Sequence, residues 1–184
     1  MRARSQSGMT LMELMIVVVI LGVLAGISMF AYSAYIRRSR ASEATTMLAS
    51  IANREDAYRS EFGRYASASS SSPAPYPMTS VGLSTAWPTA APGPTRVPFV
   101  TSSMPVEWNQ LGFRPTGDVR YRFVAAAGGA NDSPPGESGW STNPNKDLWY
   151  IAEAYGDLDG DSRISTFRIF SGNGNTIRMT SELE

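Results

Sequence analysis

Cysteine and histidine are both absent from the 184-residue chain. The protein therefore forms no disulfide bond and no zinc site built on these residues, and it lacks the thiol and imidazole groups used in nucleophilic catalysis. Catalysis would have to rely on Asp, Glu, Lys, Ser or Tyr, so we predict that the protein is not an enzyme. Basic and acidic residues number 16 each. Because nucleic-acid-binding proteins normally carry a basic excess, no nucleic-acid partner is predicted.

Proline is absent from residues 1–72, and all 12 prolines lie at or beyond Pro73. Proline breaks the interior of helices because it lacks the backbone N–H and clashes with the preceding turn. This distribution favours a long N-terminal helix followed by an irregular, β-rich remainder.

Charge is absent from residues 14–36, which read LMIVVVILGVLAGISMFAYSAYI. At about 1.5 Å per residue, such a helix is long enough to cross a hydrocarbon core of about 30 Å. The run exceeds the apolar core of a secretory signal peptide, which has about 7 to 15 residues. It continues into RRSRASEA, a segment typical of a stop to transfer. Arginines flank both ends of the run, so the positive-inside rule alone does not assign the topology.

The segment MRARSQSG followed by MTLMELMIVVVILG resembles the class III signal of type IV prepilins and type II secretion pseudopilins. Members of that family have a short basic leader ending in glycine, then a hydrophobic helix with glutamate at its fifth mature position. The resemblance implies cleavage after Gly8 by a prepilin peptidase and methylation of the new N-terminus at Met9. It also makes Glu13 the fifth-position glutamate. Met9 stands where the family usually has phenylalanine.

Gly22 falls on the family's glycine, and Tyr32, Tyr35 and Arg38 match its usual aromatic and basic positions. The predicted assembly positions are Leu11, Gly22, Gly26, Tyr32 and Tyr35. Gly22 and Gly26 form a G-x-x-x-G spacing, which permits close helix approach, although small residues are also simply tolerated in membrane helices. Filament-forming pilins often have proline where this chain has Phe30. The absence of proline at this position slightly favours a minor pilin or a pseudopilin.

Glu13 requires a physical explanation because a lone carboxylate in hydrocarbon costs about 2.5 to 3.5 kcal/mol even on insertion scales. Cleavage after Gly8 would create an α-ammonium on Met9, four residues from Glu13 and on the same face of the helix. In a bundle of such helices, Glu13 of one subunit would neutralise the Met9 amine of a neighbour and fix the axial register. The alternative is an ordinary signal anchor whose Glu13 lies among the lipid head groups.

Residues 37–63 continue the helical pattern, with apolar side chains at steps of three or four residues or their multiples. These positions are Ala41, Ala44, Leu48, Ile51, Tyr58 and Phe62. We predict that this face packs on a globular head and that Gly63 caps the end of the helix.

The remainder of the chain separates into a loop region and a β-rich head. Residues 66–98 hold seven prolines with many Ser and Ala residues, a composition that predicts an exposed loop outside any core, either a plain linker or a glycosylated one. By the resemblance it is the variable αβ-loop. Alternating segments predict strands, which lie at 119–127, 148–155, 164–171 and 176–181.

The fold class predicted from these features is α+β, the type IV pilin fold: a long N-terminal α-helix, membrane-spanning in its first half, packed on a small antiparallel β-sheet head. The predicted divisions are a leader peptide (1–8), a hydrophobic transmembrane and assembly helix (9–36), its amphipathic half (37–63), a variable Ser/Pro-rich αβ-loop region (64–118) and the antiparallel β head (119–184).

The segment GDLDGDSRIS, residues 156–165, contains the strongest candidate metal ligands. Asp157, Asp159 and Asp161 alternate as the first ligands of a calcium loop do. Ser162 stands where such loops have glycine, and Arg168 stands where they have a bidentate acid. The segment is therefore either a Ca²⁺ site at 157–165 or a hairpin turn rich in residues that turn easily. No other cofactor is predicted to be required.

The sequence predicts a structural subunit of a type IV pilus or pilus-like filament. Its predicted partners are copies of itself and other pilins in a helical filament, the prepilin peptidase/N-methyltransferase, and the inner-membrane assembly platform. It would be a single-pass inner-membrane protein as a precursor, then part of an extracellular pilus or a periplasmic pseudopilus. The alternatives are a minor pilin or type II secretion pseudopilin and, from another class, a bitopic membrane-anchored module that binds a ligand or calcium.

Overall fold

The structure is a computed structural model that describes residues 9–68, 86–90, 93–129, 134 and 148–179. The chain separates into two compact units, Met1–Ser39 and Arg40–Glu184. The described elements are helices α1 (Leu11–Phe62) and α2 (Val106–Leu111), strands β1 (Arg122–Gly128), β2 (Trp149–Gly156), β3 (Ser165–Phe170) and β4 (Thr176–Met179), and a 3-10 turn at Ser171–Asn173.

The first unit contains the apolar part of α1. Leu11–Met29 is long and apolar enough to cross a membrane, and none of it is buried within the chain. A helix that exposes Leu, Ile and Val side chains around its circumference requires apolar surroundings, either lipid or other apolar helices.

In the second unit, α1 is amphipathic, and the prediction of its inner face is confirmed over three turns. Ala41, Ala44, Leu48 and Ile51 are all buried. Tyr58 is half-buried, but the prediction for Phe62 is wrong because this side chain is 55% exposed. Phe62 is the last residue of α1, and its ring lies against that of Tyr58, with 4.4 Å between the ring centroids.

Gly63 ends α1 as predicted. Its backbone takes the left-handed conformation, with φ of 70°, and its N–H donates to the carbonyl of Arg59 at 2.8 Å. Glycine is favoured at such a position because it has no Cβ to strain a left-handed backbone.

The four strands form an antiparallel meander in the order β1-β2-β3-β4. A long helix followed by this sheet confirms the predicted α+β class and agrees with a type IV pilin fold. The first strand begins later than predicted, at Arg122, because Val119 instead forms an isolated bridge with Val97. At the other edge of the described sheet, β4 carries the exposed Arg178 directly opposite Arg168 of β3.

The core lies between the sheet and the inner face of α1. Alternate strand residues belong to it: Phe123, Ala125 and Ala127 of β1, Tyr150, Ala152 and Ala154 of β2, and Phe167 and Ile169 of β3. Alanine at four of these positions leaves room for the helix to approach, and the remaining positions carry the larger side chains Phe123, Tyr150, Phe167 and Ile169.

The region predicted as an exposed loop contributes to this core, so that prediction is wrong for its described parts. Trp87 is buried, pairs with Phe123 through an isolated bridge, and donates from Nε1 to the Phe99 carbonyl at 2.8 Å. Ala66, Ala68 and Ala86 are also buried. The prediction rested on the average composition of the region, which is dominated by Ser, Pro and Ala and does not reveal the few apolar side chains that are buried. Residues 69–85, 91 and 92 of the predicted loop lie outside the described residues.

The unpredicted helix α2 also belongs to the core. Trp108 projects from it against Phe99 and Phe113, with ring centroids 5.4 and 5.7 Å apart. The pair with Phe99 meets edge-on, at 88° between the ring planes, and the pair with Phe113 is tilted at 48°. Aromatic pairs in such arrangements stabilise beyond their buried area. α2 ends at Gly112, which is left-handed with φ of 71°.

Gly128 lies beneath the indole ring of Trp149, its partner across the sheet, and a Cβ at this glycine would come within 2.2 Å of that ring. Because Trp149 is only 1% exposed, its ring has little space to move aside. We expect Gly128→Ala to lower the free energy of unfolding by about 1 to 3 kcal/mol, measured by denaturant titration of the full chain in detergent. Gly117→Ala is the matched control, since nothing lies within 4 Å of its added Cβ. Equal midpoints for the two variants would contradict the packing described.

Candidate functional site

The first candidate site is the start of α1. Gly8, the predicted end of the leader, lies outside the described residues, whereas Met9 and Glu13 are described. Met9 directly precedes Thr10, and α1 begins at Leu11. Met9, the predicted new N-terminus, therefore lies two residues before the start of α1 and is exposed.

Glu13 forms a capping box with Thr10. The Thr10 N–H and hydroxyl both donate to Oε2 of Glu13, at 2.8 and 2.9 Å, and the Glu13 N–H donates back to the Thr10 hydroxyl at 3.3 Å. Such reciprocal bonds satisfy backbone donors that the first turn of a helix leaves free. Sequence reasoning missed this role, although the T-x-x-E spacing before an apolar run is its signature. Glu13 thus has a structural use within one chain, besides any pairing between chains.

The predicted assembly positions are spread along the exposed helix. Leu11, Tyr32 and Tyr35 are exposed, and a Cβ added at Gly22 or Gly26 would meet nothing within 4 Å. Exposed positions of this kind on an apolar helix suit contact with lipid or with other apolar helices. Their use in assembly stays a prediction.

The second candidate site is the acidic turn between β2 and β3. The carboxylates of Asp157, Asp159 and Asp161 each have an oxygen within 4.8 Å of the others. Asp157 is only 6% exposed and organises the turn: its Oδ1 accepts the Gly160 N–H at 2.7 Å, and its Oδ2 accepts the Ser162 N–H at 3.1 Å. These bonds would hold the turn without a cation.

Two departures from a calcium loop have different structural outcomes. Ser162 adopts a left-handed conformation with φ of 72°, so the turn normally made by glycine forms despite the side chain. Arg168, at the position of the closing acid, instead donates from Nε to Oε1 of Glu153 at 2.5 Å. The first half of the loop therefore brings three carboxylates together as a hard cation would require, while Arg168 leaves the second half without the bidentate acid that closes a calcium loop.

Calcium binding at 157–165 remains our proposal, with a direct test. At a calcium concentration about ten times Kd, binding to the folded state alone would add about 1.4 kcal/mol to the free energy of unfolding. We expect millimolar Ca²⁺ to raise the melting temperature of the full chain and to have no effect on an Asp159→Asn, Asp161→Asn double variant. Asp118→Asn is the control, because Asp118 lies outside the loop. An unchanged melting temperature of the unmodified protein would refute calcium binding.

Other charged groups of the head are engaged in structural pairs. Glu43 of α1 accepts from the side chains of Arg96 and Arg120, at 3.1 and 3.2 Å, and from the Arg120 backbone N–H at 2.8 Å. On the sheet, Tyr155 donates its hydroxyl to the Oε2 of Glu153. Burial raises the pKa of Tyr155, with the hydrogen bond to Glu153 adding to the shift. The Glu43 pairs join α1 to the loop segments before β1, whereas the Tyr155–Glu153 bond lies within β2.

Comparison with protein families finds a match at the N-terminus. Residues 3–29 match the family model described as the prokaryotic N-terminal methylation motif. No curated protein and no solved structure gives a match. The motif implies processing by a prepilin peptidase, and its apolar helix is consistent with membrane anchoring of the precursor. The matched range contains Gly8, Met9 and Glu13, and the chain thus carries the class III signal of type IV pilins and pseudopilins.

Proposed function

We propose that the protein is a structural subunit of a type IV pilus or a related pilus-like filament. The observation that carries the proposal is the methylation motif at residues 3–29, on a helix whose apolar surface is exposed throughout Leu11–Met29. Proteins with this signal are generally structural rather than catalytic. An α+β head with its own core completes the expected subunit.

In the proposed pathway, the precursor resides in the inner membrane as a single-pass protein. A prepilin peptidase/N-methyltransferase cleaves after Gly8 and methylates Met9. The inner-membrane assembly platform then transfers the subunit into a filament, where its apolar helix packs among those of its copies and of other pilins. The filament is an extracellular pilus or a periplasmic pseudopilus.

The chemistry of the new N-terminus supports pairing between neighbours. After cleavage, Met9 carries an ammonium, and Oε2 of Glu13 is already engaged by Thr10 while Oε1 accepts no hydrogen bond within the described residues. A carboxylate can accept several donors at once. The capping box therefore leaves acceptor capacity for the amine of an adjacent subunit, which would neutralise both charges inside an apolar bundle.

Mass spectrometry of the protein isolated from membranes and from surface filaments tests the processing step. We expect a chain beginning at Met9, heavier by one methyl group at its N-terminus. A Gly8→Leu variant is the matched control and is expected to retain residues 1–8. An intact Met1 terminus on the unmodified, membrane-resident protein would refute the pilin proposal and favour the membrane-anchored binding module.

A second candidate, a minor pilin or type II secretion pseudopilin, is favoured by one observation. α1 runs unbroken from Leu11 to Phe62 and passes through Phe30, the position at which filament-forming pilins often have proline. The abundance of the chain in sheared surface filaments separates the two candidates. A major pilin would dominate the sheared material, and a minor pilin or pseudopilin would be scarce in it or absent.

A further inference from the structure

Glu55 is a carboxyl group completely enclosed by the head. It lies on the inner face of α1, one turn after Ile51, and its exposed fraction is 0%. Its Oε2 accepts the Ala66 backbone N–H at 2.8 Å, and its Oε1 accepts no hydrogen bond within the described residues. A buried carboxylate with a single donor has lost most of the solvation that stabilises its charge.

The groups that face Glu55 do not compensate for that loss. Asp56, the next residue of α1, repels a negative charge on Glu55, and Glu55 in turn acts electrostatically on Tyr150 of β2. Arg59, one turn further along α1, is engaged with Tyr65: it donates from Nη1 to the Tyr65 hydroxyl at 2.9 Å and lies over its ring. Burial, the largest effect, raises the pKa of Glu55 to about 8, against the opposing hydrogen bond from Ala66.

Glu55 also holds the chain that follows the helix. After Gly63 the chain turns back, and Tyr65, Ala66 and Ala68 are buried against the core. The Tyr65 ring meets that of Tyr150 edge-on, with centroids 4.8 Å apart. The Ala66–Glu55 bond joins this returning segment, residues 64–68, directly to the side of α1.

We propose that Glu55 is a proton-controlled latch, which holds residues 64–68 against α1 while its carboxyl is neutral and releases them when the carboxyl ionises. Ionised Glu55 requires more donors than the single Ala66 N–H supplies at Oε2, and Oε1 has no protein donor within the described residues. Opening the short segment that covers it admits water while the β-sheet keeps its own hydrogen bonds. The proposal is independent of whether the protein forms filaments.

The pH window follows from the direction of the shift. A carboxyl whose pKa is raised in the closed state favours that state at low pH, and the advantage is lost as pH rises from the ordinary value near 4.5 to about 8. The opening constant is the equilibrium ratio of the open to the closed state of residues 64–68. Within this window one proton is released on opening, so the opening constant rises by up to about tenfold per pH unit. Above the window the opening constant becomes level.

Hydrogen exchange of the full chain in detergent tests the latch between pH 5 and 9, after correction for the intrinsic pH dependence of amide exchange. We expect the protection of residues 64–68 to fall by up to about tenfold per pH unit and then to level above pH 8. Constant protection across this range would overturn the proposal. Equal loss in β2 and in residues 64–68 would also overturn it, because the opening would then be global.

Three variants complete the experiment. Glu55→Gln keeps an acceptor for the Ala66 N–H without a titrating group, so its protection should not vary with pH. Glu55→Met removes both charge and acceptor, and it should show lower protection that is also independent of pH. Glu61→Gln, at an exposed glutamate of the same helix, should retain the behaviour of the unmodified chain. A pH-dependent loss in Glu55→Gln equal to that of the unmodified chain would overturn the assignment to Glu55.

Discussion

Glu13→Val is expected to reduce filament assembly by about tenfold or more while leaving membrane insertion and cleavage after Gly8 intact. Valine makes the helix more apolar, so insertion does not suffer. The loss arises because the Met9 ammonium of each neighbour is left in an apolar bundle without its counter-charge, and every 1.4 kcal/mol lost from a subunit contact lowers its association constant about tenfold. The measurement is the amount of sheared filament relative to the membrane pool, with mass spectrometry of both.

Glu13→Val removes both the charge of Glu13 and its capping bond with Thr10. Further variants are needed to separate the effects of charge and of capping on filament assembly. Glu13→Gln can still accept the Thr10 N–H but carries no charge, so charge pairing predicts assembly as poor as with valine. Thr10→Ala removes the capping hydroxyl and keeps the charge, so it should assemble nearly normally. Normal filaments from Glu13→Val would contradict the pairing. Normal filaments from Glu13→Gln with poor assembly of Glu13→Val would assign the role of Glu13 to helix capping.

Trp108→Ala is expected to lower the free energy of unfolding of the head by about 3 to 5 kcal/mol. Trp108 is completely buried, packs on Phe99 and Phe113, and anchors α2, a helix too short to be stable alone. The loss is a large share of the 5 to 15 kcal/mol by which domains are typically stable. Denaturant unfolding of the full chain in detergent, followed by the near-ultraviolet signal of the remaining aromatic side chains, measures it.

Two variants test whether this cost comes from packing. Val106→Ala changes the same helix at a side chain that is 63% exposed, so its effect should stay within about 0.5 kcal/mol. Trp108→Phe keeps a ring in the cluster and removes an indole N–H that has no partner within the described residues. It should therefore cost clearly less than alanine. Equal costs for Trp108→Ala and Val106→Ala would show that α2 does not anchor the core.

The regular elements were predictable because their signals are local and repeated. In α1, the run of apolar residues and the spacing of Ala44, Leu48 and Ile51 extend over several helical turns. In the strands, the alternation of side chains extends over several residues. The helix α2 was not predicted because its six residues contain too few turns for a helical period of apolar residues to appear. The burial of Trp87 was not predicted because it depends on a β-bridge to Phe123, which lies far along the chain.

The candidate sites were predictable to different degrees. The processing segment has a fixed order of residue types, and the motif match at residues 3–29 confirms its recognition. The alternation of the acidic turn was visible, but the left-handed backbone of Ser162 that completes the turn was not. Glu55 gave no signal because glutamate normally belongs to the solvent face of a helix. Its burial results from the chain that folds back after Gly63 to cover it.

The exposed Arg178 on β4 bears on what happens when many heads are crowded together. An edge strand offers unpaired backbone groups to any strand that approaches, which is a common route to aggregation. A charged side chain on that strand makes such an addition costly, and Arg168 lies directly opposite it on β3. This edge of the described sheet thus resists pairing with a strand of another copy, and in the proposed filament it would leave the contacts between subunits to the apolar helices.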